Sequence, residues 1–375
     1  MSDLQTILAA GRSGDSAVPY LLDLALWYQW HAGRGTLPPE WAGFSMAQVA
    51  HALGVAPWIV ERPWRVEYHG VTVTTQKAEG ERVMRYETPA GALTARWSLG
   101  PDGDWWQTEY PVKTAEDLPA ALAVVAAQDY VLNVTPSRVA HDAPPAENTH
   151  SALRTPHSAL ITALELPMHP YSDLLHTLLG WGEGLLLLKG EGRPIILEML
   201  ALLEEKLARL TAEIAALPGA VLLAPDNLDG QYVSPRVFRE SLAESYRRTA
   251  EIAHRHDKRL VVHAGGPVRR LLSLLAEAGV DVVEGVAPPP QGDVSLAEAR
   301  AAAGPGLILW GGIPQDYLLP ARDEAEFTAA VHEAARQAAD DGRTILGVAD
   351  RVPVGADLTR LQAIPQLIRQ AVAAD

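Results

Sequence analysis

Val261-Val262-His263-Ala264-Gly265-Gly266 is a short apolar strand that ends on a histidine and breaks at once into glycines. It follows an amphipathic helical stretch, Arg236 to His256, and precedes another, Val268 to Ala278. A titratable imidazole at the carboxyl end of a buried parallel strand stands where α/β enzymes keep their chemistry. From about residue 158 onward the chain repeats this alternation. Candidate strands are Ala159 to Glu165, Ala220 to Leu223, Leu260 to His263, Val280 to Glu284, Leu307 to Trp310 and Thr344 to Val348. Helices fall between them, the clearest opening with Ser234 as N-cap and Pro235 at its first position. Strands alternating with helices predict a parallel sheet. Six such units, with a first strand at Val18 to Leu24 and further strands before residue 112, approach the eight of a (β/α)8 TIM barrel. A doubly wound open sheet is the rival, weakened because no glycine fingerprint follows the first strand.

The first third is less regular. Residues 4 to 12 read as a short helix, and Met46 to Leu53 as another that Gly54 closes. Between 63 and 112 the pattern changes to period two, in Trp64 to His69, Val71 to Thr75, Arg82 to Glu87 and Ala92 to Trp97, punctuated by Gly70, Gly91 and Gly103. This predicts an antiparallel meander inserted into the barrel. Thr114 to Asp129 reads as helix, and residues 137 to 156, rich in Pro, Ala, His and Asn, as a loop. The chain is expected to be one domain, 1–375, with the insertion at about 63–112.

Composition narrows the function. A formal charge of -15 argues against nucleic-acid and anionic-membrane binding, because phosphates demand a basic face. With no cysteine there is no disulfide, thiolate zinc site or cysteine nucleophile. The start, Met-Ser-Asp-Leu-Gln-Thr, lacks the blocks of a signal peptide, and apolar runs such as Leu185 to Leu188 fall far short of the ~20 residues of a membrane helix. A soluble, cytoplasmic protein is expected.

In a barrel, catalytic side chains project from the carboxyl ends of the strands. Here those ends carry Asp23, Glu165, Asp226-Asn227, His263, Glu284, Trp310 and Asp350-Arg351. Asp226, His263, Glu284 and Asp350 are expected to face one mouth, able to hold a polar ligand or a divalent metal, or to tune each other's acidity. Each also has a structural alternative. Asp226 can cap a helix, His263 can be a hydrogen-bonded core histidine, Glu284 can be solvated, and Asp350 can pair with Arg351 or Arg343. Arg34, between glycines, offers a guanidinium fork to a carboxylate or phosphate. Trp27 and Tyr28 near it are candidate ligand walls or core, and Glu165, Asn227 and Trp310 are further candidate substrate contacts.

Several segments together resemble the uroporphyrinogen decarboxylase superfamily. They are Tyr232-Val-Ser-Pro-Arg-Val-Phe238, Leu260 to Gly266, Glu277 to Glu284, Leu309-Trp-Gly-Gly-Ile-Pro314 and Ile345 to Pro353. The resemblance covers about residues 160 to 370 and implies a (β/α)8 barrel with its site at the carboxyl face. Decarboxylases of that superfamily remove carboxylates from tetrapyrrole acetate arms without a cofactor, and their N-terminal signature has two arginines around Gln-Ala-Gly. In Trp30-His-Ala-Gly-Arg34, Arg34 matches the second arginine and Trp30 stands where the first would be. A substrate with eight carboxylates needs more than one cationic clamp. Methyltransferases of the superfamily act on a corrinoid protein and a thiol, with zinc held by a His-x-Cys pair and a later cysteine. His263 matches that histidine, but Gly265 and Asp350 replace the cysteines. A harder set, His263, Glu284 and Asp350, remains for zinc or a similar metal.

The leading expectation is therefore a decarboxylase for a carboxylated tetrapyrrole or related small molecule, needing no cofactor. In it Arg34 orients a carboxylate, Asp226 stabilises a protonated ring, and His263 or Asp350 moves the proton. Methyl transfer with a corrinoid partner and a metal is the alternative. A non-catalytic tetrapyrrole- or corrinoid-binding protein is the third reading. The tryptophan-rich first third suggests a homodimer.

Overall fold

The computed structural model describes residues 18–101, 103–133 and 161–373. The helix expected over 4–12 and the loop over 137–156 lie outside the described residues. The strands follow in chain order as β1 (Trp58–Glu61), β2 (Trp64–Tyr68), β3 (Thr72–Ala78), β4 (Glu81–Thr88), β5 (Gly91–Leu99), β6 (Trp105–Glu109) and β7 (Gln128–Leu132). After these come β8 (Ile161–Glu165), β9 (Val221–Leu228), β10 (Arg259–Ala264), β11 (Val282–Val286), β12 (Ile308–Ile313) and β13 (Thr344–Val348). Seven of them form one curled parallel sheet in the order β1-β8-β9-β10-β11-β12-β13. Helices connect successive strands, as the alternation of patterns predicts. The segment at Tyr20 and Leu21 makes parallel bridges to Leu346 on β13 and to Ala56 just before β1. It thus touches both edges of the sheet. The fold is TIM-barrel-like.

Period two along these strands sorts the side chains. Leu21, Trp58, Ile161, Ala163, Val221, Val261, Val282, Ile308, Trp310 and Ile345 pack together inside the sheet. Their neighbours Leu222, Ala224, Leu260, Val262, Val283 and Leu309 belong to the larger core between sheet and helices. Trp58 and Trp310 meet edge to face at 4.8 Å inside. Gly347 is required there, because a Cβ on it would lie 2.5 Å from Trp310 Nε1 and 2.7 Å from the Leu21 carbonyl.

Helix starts are set by the caps the sequence offers. Ser234 accepts from the Val237 N–H, and Ser295 with Glu298 forms a reciprocal capping box. The stretch expected as one helix from Arg236 to His256 is two helices, Pro235–Ser241 and Ala243–Arg255, offset at Leu242. The helix expected from Val268 to Ala278 is shorter, Leu272–Glu277.

The insertion departs from the expected meander at both ends. β3-β4-β5-β6 form a four-stranded antiparallel sheet, but β2 leaves it and pairs with β7. The helix expected from Thr114 to Asp129 runs from Leu118 to Ala127 only. Beyond it Tyr130, Val131 and Leu132 have strand-forming side chains and find an open edge on β2. No helix among the described residues is long and apolar enough to cross a membrane.

Candidate active site

The same alternation carries upward to the carboxyl ends. Asp23, His263 and Glu284 each stand two residues beyond an inward-facing residue, namely Leu21, Val261 and Val282. They therefore enter the mouth of the sheet together. In the ladder His263 lies opposite Glu284. The His263 ring hydrogen-bonds Glu284 Oε2 through Nδ1, and its Nε2 lies 3.5 Å from Asp350 Oδ1. His263 and Glu284 are largely shielded from solvent, their side chains 20% and 10% exposed.

Asp350 follows β13 in a left-handed conformation, φ 68°. Such a conformation in a non-glycine residue is uncommon and must be held by its surroundings. Here the backbone on both sides is tied down. Ala349 N–H donates to the Ile313 carbonyl and Val352 N–H to the Asp23 carbonyl. Gln291 Nε2 donates to the Ala349 carbonyl at 3.1 Å.

Burial and charge oppose one another in this cluster. Burial works against a charged His263 ring, but the Glu284 carboxylate, with Asp350 and Asp23 behind it, outweighs that and raises the imidazole to about 9. Burial raises Glu284 to about 7, with His263 opposing and Asp350 and Asp23 adding to the rise. Asp23 is also raised, chiefly by burial, against the Ala25 N–H, which donates to it at 2.9 Å, and against His263. The result is a protonated imidazole at neutral pH, ringed by carboxylates. Asp23 ends the first expected strand, but it was not among the candidate site residues; counting by twos from Leu21 would have found it.

A cavity of about 510 Å³ opens beside Asp350, with Arg351, Asp104, Trp106 and Gln315 in its wall. Arg351 ion-pairs with Asp104 of the insertion. Gly103 packs so closely on Trp30 that a Cβ there would lie 2.7 Å from the ring. Gly103 and Asp104 of the insertion therefore sit at the carboxyl face, beside the mouth.

The structure does not bring Asp226 to this cluster. It lies at an even position on β9, in step with Leu222 and Ala224, and so points outward to the helices. It is 1% exposed. The His169 N–H donates to Oδ1 at 2.7 Å, His169 Nδ1 lies 2.6 Å from Oδ2, and the Tyr246 hydroxyl also donates to Oδ2. Burial would raise this carboxyl, but His169 and Tyr246 outweigh it and hold Asp226 below the usual range. The parity of the strand makes Asp226 a buried tie between β9, His169 and the helix Ala243–Arg255.

The other expected contacts are dispersed. Arg34 ends the helix Ala25–Arg34, exposed, with its guanidinium 3.3 Å from the centre of the Trp30 ring. It is stacked on the surface and is not presented between glycines as a free fork. Trp27 is buried against His31, with ring centres 4.7 Å apart, and the Tyr28 hydroxyl donates to the Phe44 carbonyl. Trp310 is 2% exposed and fills the interior below the mouth, so its ring is core. Asn227, φ 48°, is exposed and its side chain lies against Gly265. Glu165 faces inward but pairs with Arg62, Nε to Oε1 2.6 Å.

Nor do His263, Glu284 and Asp350 converge on a metal. Among the described residues no three His, Asp or Glu side chains are placed to hold a common ion. Nδ1 is occupied by Glu284, and Asp350 stands at the opposite edge of the ring. The carboxylates bracket the imidazole instead of sharing a centre with it, and the set does not fit a zinc site.

With the geometry established, likeness to known proteins can be weighed. Residues 197–371 match the family model of uroporphyrinogen decarboxylase (URO-D). Over these residues, just under half of the chain, the match supports a likeness to the uroporphyrinogen decarboxylase-like superfamily. The matched span holds β9 to β13, and with them His263, Glu284 and Asp350. Among solved structures, a methyltransferase from Methanosarcina mazei is similar over 99% of both chains, at 14% identity and a TM-score of 0.58. At that identity the likeness speaks for the fold. A D-psicose 3-epimerase from Clostridium cellulolyticum H10, solved with D-tagatose, matches 58% of this chain and 78% of its own at 11% identity, with a TM-score of 0.32, too low to bear on function. No curated protein matches. That likeness suggests an enzyme, and within the matched span the departures from the superfamily's signatures fall at Gly265 and Asp350.

Proposed function

We propose that this protein is a closed (β/α)8 barrel enzyme that decarboxylates a small, electron-rich carboxylated substrate by proton transfer from His263. The bridges from Tyr20 and Leu21 to both sheet edges support closure. The observation that carries the chemistry is the His263 ring held between the carboxylates of Glu284 and Asp350, which favour its charged form.

In this reading His263 Nε2–H protonates a carbon of the substrate's electron-rich ring. The positive charge on the ring lies among Asp23, Glu284 and Asp350, which take the stabilising part expected of Asp226. The bond to the carboxylate then breaks, its electron pair neutralises the ring, and carbon dioxide leaves. A second protonation at the former attachment carbon and loss of the first proton complete the cycle. Overall one proton is consumed for each carbon dioxide released.

The charges also bear on the substrate. Arg351, ion-paired with Asp104, is the cation in the wall of the adjoining cavity, and Arg34 is turned onto Trp30. That suits a substrate with one or few carboxylates better than one with eight. Methyl transfer with a corrinoid partner is the alternative. The likeness to the fold of a methyltransferase supports it, and the lack of convergent metal ligands among the described residues weighs against it.

The test is carbon dioxide release from a panel of carboxylated pyrroles and indoles, with anaerobic uroporphyrinogen included, for the wild type and His263→Gln. The substitution is expected to cost about 10²–10⁴-fold in kcat, the usual worth of a general acid. Release by His263→Gln at the wild-type rate sinks the assignment. Binding without turnover by both forms would favour the non-catalytic reading.

A further inference from the structure

A second cavity, of about 420 Å³, lies where the insertion meets the sheet. None of Asp23, His263, Glu284 or Asp350 lines it. Its walls are aromatic: Trp64 and Tyr68 from β2, Tyr86 from β4, Trp97 from β5 and Tyr130 from β7. The rings meet at steep angles, Trp64 with Tyr130 at 80° and Tyr68 with Tyr86 at 68°, with centroids 5.3 and 6.1 Å apart. Rings so arranged make the corners of a box and turn more than one π-face or edge toward its contents.

Two carboxylates stand in the wall, Glu165, which is paired with Arg62, and Asp173, which has no cationic partner among the described residues. The Asp173 side chain accepts from the Tyr130 hydroxyl at 3.3 Å, and the Thr177 hydroxyl donates to the Asp173 backbone carbonyl at 2.7 Å. Both are neutral donors. Burial raises this carboxyl to about 6, and the hydroxyls that lower it do not cancel the effect. The remaining charges cancel, because Arg62 and Glu165 at the cavity pair with each other, which leaves Asp173 as the unbalanced charge. A buried carboxylate is costly without a cationic partner. The backbone beside it is also irregular: Leu175–Leu179 is a π-helical turn, and its Thr177 and Leu178 line the cavity. Such widened turns cluster at functional sites.

We infer that this cavity binds a small monovalent organic ammonium ion, held by cation–π contact with the aromatic box and by the Asp173 carboxylate. The chemistry is specific. An anion would meet Asp173 and the negative ring faces, and a neutral apolar ligand would leave Asp173 uncompensated. A metal ion would find one carboxylate not already engaged by a cation, because Glu165 is held by Arg62. The cavity falls within the size range of small-molecule sites, roughly 300–1,000 Å³.

The experiment is calorimetric titration of the full chain with choline chloride and, separately, with 3,3-dimethyl-1-butanol, its uncharged isostere, at ionic strength balanced with sodium chloride. Choline is expected to saturate one site and to bind at least tenfold more tightly than the isostere. Asp173→Asn is expected to erase that preference, and Trp97→Leu to weaken choline at least threefold while unfolding at the wild-type temperature. Equal affinity for choline and the isostere, or no saturation by choline at about 50 mM, overturns the inference. Where Asp173→Asn does not fold, the comparison of the two ligands on the wild type still decides.

Discussion

Glu284→Gln is the perturbation that bears most directly on the proposed chemistry. Raising an imidazole from 6.5 to about 9 corresponds to about 3 kcal/mol in favour of its charged form. Two unit charges about 4 Å apart at an effective dielectric near 20 interact by about 4 kcal/mol. The Glu284 carboxylate is therefore the largest of the contributions that raise the ring against its burial, with Asp350 and Asp23 supplying the rest. The amide of glutamine keeps an oxygen for the Nδ1 proton but not the charge. His263 should then titrate about 2 pH units lower, because the ring stays buried while Asp350 and Asp23 remain. In the wild type kcat/KM is expected to be bell-shaped, with limbs near 7 and 9 that belong to the Glu284–His263 pair as a unit. In Glu284→Gln the acid limb should vanish and the basic limb should move toward 7. Stability follows by linkage. Both folded values lie above the unfolded ones, so the folded protein binds the extra protons, Glu284 between 4.5 and about 7 and His263 between 6.5 and about 9. Each contribution is complete below its unfolded value and is lost as pH rises through the folded one. Urea denaturation of the wild type should therefore show falling stability from pH 5 to 9, and the variant a flatter course. The assay is the pH–rate profile with a parallel NMR titration of labelled histidine. A basic limb that stays near 9 in Glu284→Gln refutes the reasoning.

Three further substitutions separate site from scaffold. Asp226→Ala removes the acceptor of three hydrogen bonds to a buried carboxylate and should lower unfolding free energy by about 3 kcal/mol, the order of a broken buried charged network; wild-type stability with lost activity would restore it as a catalyst. Trp310→Ala should cost about 3–5 kcal/mol by emptying the interior beneath the mouth, and a loss in KM without a fall in melting temperature would make the ring a ligand contact after all. Arg34→Ala, on the surface against Trp30, should leave KM within about twofold and cost about 0.5–1 kcal/mol of stability from the lost cation–π contact; a large rise in KM would return Arg34 to the substrate.

The strand-helix alternation after residue 158 and the histidine at the strand end, His263, are legible in the sequence, because a buried parallel sheet with helices on its outside imposes apolar strands, caps and polar strand ends that survive as local pattern. The period of two carried more than the strand ends taken one by one. It places Asp23 inside with His263 and Glu284, and Asp226 outside with His169 and Tyr246, one residue of parity making the difference between a mouth and a helix contact. Other features had no local signature. The pairing of β2 with β7 joins residues at least 60 positions apart, and its register follows from which edge is left open once β3 to β6 have formed. The same holds for Arg351 on Asp104, 247 positions apart in the chain, and for the turning of Arg34 onto Trp30. Charge and polarity fix what a side chain can bind. Which partner it meets is decided by packing, since each of these groups had several partners of suitable chemistry and the fold leaves room for one.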